Sequence, residues 1–310
     1  MDIDFSSKKT LFLAPLAGYT DLPFRRVVKK FGVDVTVSEM ISSNALAYNS
    51  SKTFQMLKKS PLEDPYIVQL SGHNEDIVKE AVLILNDIDG IAGIDLNCGC
   101  PVPKVVRQGA GSALLKDLPQ MAKIIETIKK YSNKKYTSVK TRTGFSEKYP
   151  AEIAKIIESS GADYITMHGR TRSAGYRAKE IDYESIAIAK DAISIPLVAN
   201  GDITTFEKYK EVKKITGADA IMIGRGAVGN PWIFYQIKNS LNEIDKDKIK
   251  EIVLEHFDAM VEVYEDKAVG IFRKHLHTYS KNFPNASEFR NSVNRVDDPM
   301  IIREYITNFF

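Results

Sequence analysis

The chain alternates between short runs of β-branched and other apolar residues and longer segments with apolar residues at three- and four-residue spacing. Short apolar runs bounded by turn residues are typical of strands that are buried on both faces, as in parallel sheets. Eight such runs predict strands over 11–16, 35–39, 66–71, 93–97, 136–141, 164–168, 196–200 and 220–224.

The segments between these strands have the pattern of amphipathic helices. In 119–130 the apolar side consists of Met121, Ile124, Ile125 and Ile128. Eight strands alternating with helices predict an α/β fold, a (β/α)8 TIM barrel. The main alternative is a doubly wound sheet, which usually has fewer strands and a glycine-rich loop after the first one. Here Ala17-Gly18-Tyr19 follows the first strand instead.

The strand pattern ends near residue 240, and only helical patterns follow. They predict helices over 246–265, 267–282, 286–294 and 299–308. We therefore expect a catalytic barrel over 1–240 and a small C-terminal helical domain over 241–310.

Composition changes this picture little. With 44% hydrophobic and 27% charged residues, the 310-residue chain has the balance of a globular protein. It contains no apolar stretch long enough to span a membrane, and its first residues are acidic, so we expect a cytoplasmic protein. Cys98 and Cys100 are too close for a structural disulfide, and two thiols without a nearby histidine predict no metal site.

The net charge of +3 is distributed unevenly. Residues 241–310 carry 10 basic and 13 acidic side chains, and the acidic excess lies in 241–266, which has 3 basic and 9 acidic ones. Residues 267–310 have 7 basic and 4 acidic ones. Charge alone neither requires nor excludes nucleic acid, but if the tail binds it, 267–310 must form the contact.

Polar and glycine positions follow most of the predicted strands, where barrels place their functional groups. They are Gln69, Asn97, Cys100, Lys140, Arg142, His168, Arg170, Asn200, Gly201, Asp202, Gly224 and Arg225, with the turn Pro15, Leu16 and Ala17 after the first strand. Because polar groups buried without partners are costly, such a concentration at one rim indicates a polar ligand.

The loops after the seventh and eighth strands indicate a phosphate site. Asn200-Gly201-Asp202 and Gly224-Arg225-Gly226 would bring glycine N–H groups and a guanidinium to the place where barrels frequently bind phosphate. The string 224–229 also fits G-x-G-x-x-G, but no further strand follows to complete a dinucleotide-binding unit. Alternatively, these glycines only form tight turns.

Three side chains suggest chemistry. Lys140 is interpreted as a Schiff-base nucleophile, as a charge beside a cofactor that becomes anionic on reduction, or as half of a structural ion pair. His168 is interpreted as a ligand to a phosphate or a ring. Cys100, between Gly99 and Pro101, presents a thiol that acts either as a proton donor or as a nucleophile, and the spacing does not decide between them. Cys98 is expected to pack as a small hydrophobic residue.

Seven motifs occur in order, six of them at the end of a predicted strand. They are 14–24 (APLAGYTDLPF), 93–104 (GIDLNCGCPVPK), 109–115 (GAGSALL), 138–144 (SVKTRTG), 166–172 (TMHGRTR), 199–203 (ANGDI) and 222–232 (MIGRGAVGNPW). Together they resemble the flavin-dependent tRNA-dihydrouridine synthases. The HGRTR string and the helical tail are most similar to the bacterial B-type branch.

The resemblance implies an FMN-containing barrel and a helical tRNA-binding domain. It implies that Pro15, Leu16 and Ala17 line the flavin ring, that Gln69 binds its polar edge, and that Lys140 lies near its N1–C2 region. The residues that would hold the ribityl and phosphate groups are His168, Asn200, Gly201, Asp202, Gly224 and Arg225.

The implied reaction is the NADPH-dependent reduction of the C5–C6 double bond of particular uridines in tRNA. Hydride would pass from FMN to C6, Cys100 would donate the proton to C5, and Asn97 would face the substrate. The B-type similarity suggests position 17 in the D-loop. Candidate tRNA contacts are Arg170, Arg177, Lys179, Arg273, Lys274 and Arg290.

Two other functions are considered beside this one. An FMN-dependent reductase or dehydrogenase of a free pyrimidine, similar to dihydroorotate dehydrogenases, would have no need of the helical tail. A non-catalytic RNA-binding protein would have no need of Gln69, Lys140, His168 and Cys100 together. The expected partner is tRNA, with no membrane and no obligate protein partner, so a monomer is expected.

Overall fold

The computed structural model describes residues 1–175, 181–243, 245–281 and 283–310, and eight parallel strands close into a barrel within them. These strands are β1 (Leu11–Leu13), β2 (Val35–Val37), β4 (Tyr66–Ser71), β5 (Gly93–Cys98), β6 (Tyr136–Arg142), β7 (Tyr164–His168), β8 (Leu197–Asn200) and β9 (Ala220–Ile223). Each pairs with the next, and β9 pairs with β1. The predicted barrel is therefore confirmed. The two-residue strand β3 (Ile41–Ser42), which pairs beside β4, was not predicted.

Helices cover the outside of the barrel. They are α1 (Leu22–Lys30), α2 (Ser43–Ala47), α3 (Ser51–Leu57), α4 (Glu75–Asn86), α5 (Pro103–Arg107), α6 (Leu118–Tyr131), α7 (Pro150–Ser159), α8 (Tyr183–Asp191), α9 (Phe206–Thr216) and α10 (Ile233–Asn239). As predicted, α6 buries its apolar side, Met121, Ile124, Ile125 and Ile128. The side chain of Asp117 caps this helix by accepting from the Gln120 N–H at 3.0 Å.

Four further helices form the tail: α11 (Lys246–Tyr264), α12 (Ala268–Tyr279), α13 (Ala286–Val293) and α14 (Pro299–Phe309). Their apolar faces pack into one cluster, which also contains Val27 of α1 and Trp232 just before α10. The tail is thus seated on barrel helices through shared apolar contacts. Within the described residues, no helix is both long enough and apolar enough to cross a membrane.

The acidic helix α11 packs against the basic helix α1. Glu255 pairs with Lys30, and Glu262 pairs with Arg26 at 2.8 Å. Two acidic side chains of 241–266 therefore form ion pairs with the barrel helix α1. The stretch 267–310 is the part of the tail in which basic side chains outnumber acidic ones.

A buried ion pair fixes α1 to the barrel wall. Arg25 Nε donates to Glu63 Oε1 at 2.6 Å, and both side chains are fully buried. The carboxylate also accepts from Thr36 Oγ1 at 2.9 Å and from the Ser60 N–H at 2.7 Å. The other two nitrogens of Arg25 donate to backbone carbonyls, so all three guanidinium nitrogens have partners.

Arg25→Met should lower the free energy of unfolding by about 3–5 kcal/mol, because it leaves the Glu63 carboxylate buried without its counter-charge. Urea unfolding followed by circular dichroism measures this. Arg303→Met is the matched control: Arg303 pairs with Asp258 at 3.1 Å, but both side chains are about half exposed, so this loss should stay below about 1 kcal/mol. Equal losses in the two variants would contradict the assignment.

Candidate active site

The polar residues predicted to form a site lie side by side at the carboxyl ends of the strands. Asn97 of β5 is paired in register with Lys140 of β6, and His168 of β7 is paired with Asn200 of β8. Gln69 of β4 lies opposite Asp95 of β5. One rim of the barrel therefore brings together amides, cations and a histidine that are distant in sequence.

A hydrogen-bonded amide chain, formed by Asp95, Gln69 and Asn97, runs across β4 and β5. Gln69 Nε2 donates to Asp95 Oδ2 at 2.8 Å, and Asn97 Nδ2 donates to Gln69 Oε1 at 2.7 Å. The Asn97 oxygen Oδ1 then accepts from the backbone N–H groups of Gly99 at 3.1 Å and Cys100 at 2.9 Å. The chain thus connects a buried carboxylate to the loop that carries Cys100.

The orientation of both amides is determined from both ends of this chain. An ionised carboxylate can only accept, so Gln69 must turn its NH2 group toward Asp95, and two backbone N–H groups require the oxygen of Asn97. Each NH2 group has two hydrogens and uses one within the chain. Each NH2 group therefore has a second N–H that is not used within the chain.

Asp95 is the buried carboxylate at one end of the amide chain. Its Oδ1 accepts from Ser138 Oγ at 2.7 Å. Burial raises the pKa of Asp95 to about 6, although the bonds from Gln69 and Ser138 and the charge of Lys140 favour its ionised form. At neutral pH the carboxylate is ionised and acts as an acceptor for the chain.

The two thiols have different surroundings. Cys98 is fully buried in the barrel core, as predicted, and burial raises its pKa well above the ordinary value. Cys100 is partly exposed on the loop beyond β5. Its carbonyl accepts from Ser112 Oγ at 2.8 Å and from the Ser112 N–H at 3.1 Å, which holds the loop in place.

Positive side chains surround His168 and form a cation cluster, defined here as Lys140, Arg142, Arg170 and Arg225. Burial and these four charges lower the pKa of His168 well below its ordinary value, so its imidazole is neutral at pH 7. Burial and the charge of Arg142 lower the pKa of Lys140 to about 8. Lys140 Nζ donates to Asn200 Oδ1 at 3.1 Å, which is a neutral partner rather than a carboxylate.

Asp202 lies within the cation cluster and accepts from Arg170 at 2.7 Å and from Arg225. Partial burial raises the pKa of this carboxyl, but the bonds and charges of the two arginines outweigh burial and hold the pKa below its ordinary value. Arg170 is only 4% exposed and forms its ion pair with Asp202 inside the protein. Asp202 therefore shares its carboxylate between two arginines of the cation cluster.

The glycines predicted for the phosphate site allow close approach of two loops. A Cβ at Gly226 would lie 2.1 Å from the carbonyl oxygen of Ile203, so only glycine fits between the loops after β8 and β9. Gly201 has a φ of +144°, which other residues rarely adopt. These features agree with tight turns and with a phosphate site, the two interpretations offered by the sequence.

The tail reaches the barrel mouth at the β1–α1 loop. Beyond Pro15, Leu16 and the exposed Ala17, Tyr19 packs with its ring 5.1 Å from Lys274 Nζ of α12. Lys274 Nζ also lies next to Gly18, whose N–H donates to Glu39. Of the predicted tail contacts, Lys274 is thus the one placed beside the rim.

The other predicted RNA contacts have varied surroundings. Arg273 donates to the carbonyls of Val293 and Val296 and pairs with Asp297 at 2.6 Å, so it connects α12 to the loop before α14. Arg290 is partly buried on α13. The remaining two, Arg177 and Lys179, fall outside the described residues. All of these assignments stay predictions.

The sequence-based set omitted Asp95 and Ser138. Asp95 could have been found, because it is a charged residue inside an otherwise apolar strand, and it points to the same side as Asn97 two residues later. Ser138 gives no such indication, since a small hydroxyl is common in any strand.

Strand ends that combine oriented amide donors, a cation cluster and a partly exposed thiol are typical of a (β/α)8-barrel enzyme. The family model described as "Dihydrouridine synthase (Dus)" matches residues 12–305. The chain therefore belongs to the dihydrouridine synthase family of flavin-dependent oxidoreductases.

Curated relatives agree with this assignment over nearly their whole length. A "Probable tRNA-dihydrouridine synthase" of Helicobacter pylori (strain J99) is 54% identical, covering 99% of this chain and 94% of the relative. A "tRNA-dihydrouridine synthase B" of Vibrio vulnificus is 38% identical, covering 99% and 97%. Among solved structures, TcOYE with pHBA has a TM-score of 0.55 at 10% identity, covering 83% of this chain and 94% of that one, which shows the fold alone.

Asp95→Asn should remove part of the pH dependence of stability. The folded-state pKa of Asp95, about 6, lies above the ordinary value of 3.8, so the folded state binds the proton more tightly than the unfolded state. Stability from this group is therefore present below about pH 4 and is lost as the pH rises through about 6. Between about pH 4.5 and 7.5 the wild type should lose roughly 2 kcal/mol more than Asp95→Asn.

Urea unfolding across this pH range measures the difference. Asp266→Asn, at an exposed position, is the control and should keep the wild-type pH dependence. If Asp95→Asn and the wild type changed in parallel, the raised pKa of Asp95 would be refuted.

Proposed function

We propose that this chain is a tRNA-dihydrouridine synthase that uses FMN and NADPH to reduce the C5–C6 double bond of uridine in the tRNA D-loop, at position 17. The observation that carries the proposal is the convergence of Cys100, the amide chain and the cation cluster at one rim. Position 17 is proposed from the similarity to the B-type branch.

The residues present fit FMN. The cation cluster would supply positive charge for a phosphate, and the loops after β8 and β9 approach each other closely at Gly226. The remaining N–H of Gln69 suits a carbonyl on the polar edge of the ring. When bound and reduced by NADPH, FMN supplies the hydride for C6 of uracil.

Lys140 and His168 have complementary parts in this scheme. Lys140 is held close to Arg142, and the repulsion between them favours an anion in the same site. The neutral His168 adds a ring nitrogen as a hydrogen-bonding group without further charge. We propose that Lys140 stabilises negative charge on the reduced cofactor, while His168 binds its ribityl or phosphate part.

Asn97 and Cys100 act on the substrate. Asn97 keeps its oxygen on the backbone of the Cys100 loop, so it presents N–H to a uracil carbonyl. Cys100 holds the proton that passes to C5 when charge develops there, since Cys98 is buried in the core. A uridine must leave its stack to reach this site, at a cost of a few kcal/mol.

Contacts elsewhere on the tRNA offset the cost of extracting the base. The more basic half of the tail, with Lys274 at the barrel mouth, is the proposed surface for these contacts. Arg170, Arg177, Lys179, Arg273 and Arg290 are retained as further candidates. A cytoplasmic monomer without an obligate protein partner is part of the same proposal.

The direct test is dihydrouridine formation in tRNA that lacks this base, mapped by position, with purified protein, FMN and NADPH. Product at position 17 is expected. A yellow protein that oxidises NADPH and reduces a free pyrimidine but not tRNA would favour the dihydroorotate dehydrogenase-like alternative. Bulk tRNA as a competitor separates the two activities.

Cys100→Ala should bind FMN normally and oxidise NADPH, yet form dihydrouridine slower by on the order of 100-fold or more, because the proton donor is missing. Cys98→Ala is the matched control and should be nearly neutral in rate. Dihydrouridine formation by Cys100→Ala at the wild-type rate would exclude the proton-donor role.

Lys140→Met should weaken the binding of oxidised FMN to apoprotein by roughly tenfold, because it removes one positive charge from the site. Quenching of flavin fluorescence on titration measures the dissociation constant without relying on turnover. Lys135→Met, before β6 at the opposite end of the barrel, is the control. An unchanged constant in Lys140→Met would refute its contact with the cofactor.

A further inference from the structure

A cationic and aromatic cluster, formed by Lys116, Phe145 and Arg172, lies on the rim beside the Cys100 loop and has no part in the site described above. Lys116 Nζ is 4.4 Å from the centre of the Phe145 ring, and the guanidinium carbon of Arg172 is 5.1 Å from it. We call these three residues the rim cluster.

Backbone contacts hold the rim cluster rigid. The Arg172 N–H donates to the carbonyl of Gly144, and the Ser173 N–H donates to that of Phe145, both at 2.9 Å. Tyr149 Oη accepts from the Phe145 N–H at 3.2 Å and donates to the Leu115 carbonyl at 2.5 Å. Three loops are thus joined, and the two cations are positioned before any ligand binds, which lowers the entropy cost of binding.

The same contacts tie the rim cluster to Cys100. Ser112, which binds the Cys100 carbonyl twice, lies in the 3₁₀ helix Gly111–Lys116 that ends at Lys116. At a rise of about 2 Å per residue, Lys116 lies roughly 8 Å along this helix from Ser112. Arg142 donates to the Gly99 carbonyl at 2.7 Å and to the Thr171 carbonyl at 3.0 Å, connecting the Cys100 loop to the residue before Arg172.

The chemistry of the rim cluster suits an anion rich in acceptors. Arg172 Nε is buried and has no hydrogen-bond partner among the residues that the structure describes. Lys116 and Arg172 offer donors only. Because both cations already pack over the Phe145 ring, the ring serves to place them and is not a free surface for stacking a base.

We infer that the rim cluster binds backbone phosphates of the nucleotides next to the target uridine. This inference rests on the proposed function and gives it a second RNA contact, on the barrel rather than on the tail. Phosphates bound roughly 8 Å along the helix from Ser112 would hold the strand next to the extracted base, so their binding offsets the cost of unstacking.

The test measures the tRNA dissociation constant of the FMN-loaded full-length protein between about 50 and 200 mM salt. Lys116→Gln and Arg172→Gln should each reduce the slope of log affinity against log salt by about 1, and together weaken binding on the order of tenfold. Arg172→Lys keeps the charge and should retain the slope. Lys135→Gln, where the wild-type lysine pairs with Asp2 away from the rim, is the matched control and should behave as wild type.

The visible flavin spectrum of each variant reports that the fold and cofactor are intact. Wild-type slopes in both glutamine variants would overturn the inference while leaving the proposed function standing, as would an equal change in Lys135→Gln. A wild-type protein that does not bind tRNA at all would instead refute the proposed function, and with it this contact.

Discussion

Much of the site depends on one constraint: a buried carboxylate can accept hydrogen bonds but not donate them. Because Asp95 accepts from the NH2 group of Gln69, the oxygen of Gln69 faces Asn97 and accepts from its NH2 group. The oxygen of Asn97 then accepts from the backbone N–H of Cys100. Two strands and a loop are joined with every amide facing one way. Under the proposed function, the remaining N–H groups of Gln69 and Asn97 donate to carbonyl groups of the ligands.

On the other strands of the rim, the main feature is a group of positive side chains. Four cations are gathered around a neutral histidine, and Asp202 pairs with two of them. Burial and the nearby charge of Arg142 lower the pKa of Lys140, so its charged form is less stable there than in water. The donor amides therefore lie on β4 and β5, while the cations lie on or just beyond β6, β7 and β9.

Much of this could be predicted from sequence because the physical patterns are periodic. Apolar runs such as 66–71 located the strands, and the rule that barrel sites lie at strand ends located Gln69, Lys140 and His168. Short elements such as β3 and α5 were missed, since two to five residues carry no period. The direction of the amides and the burial of Arg170 depend on partners distant in sequence, which no local pattern reveals.

The seat of the tail on the barrel has a geometric consequence. Val27 and Trp232 belong to the same apolar cluster as the tail helices, and Arg26 and Lys30 pair with α11. These contacts set the position of the tail helices relative to the barrel loop that carries Cys100. If the tail binds a folded RNA, the bound region lies at a set distance from Cys100. The uridine that is modified would then be selected by its distance from that region rather than by the bases around it.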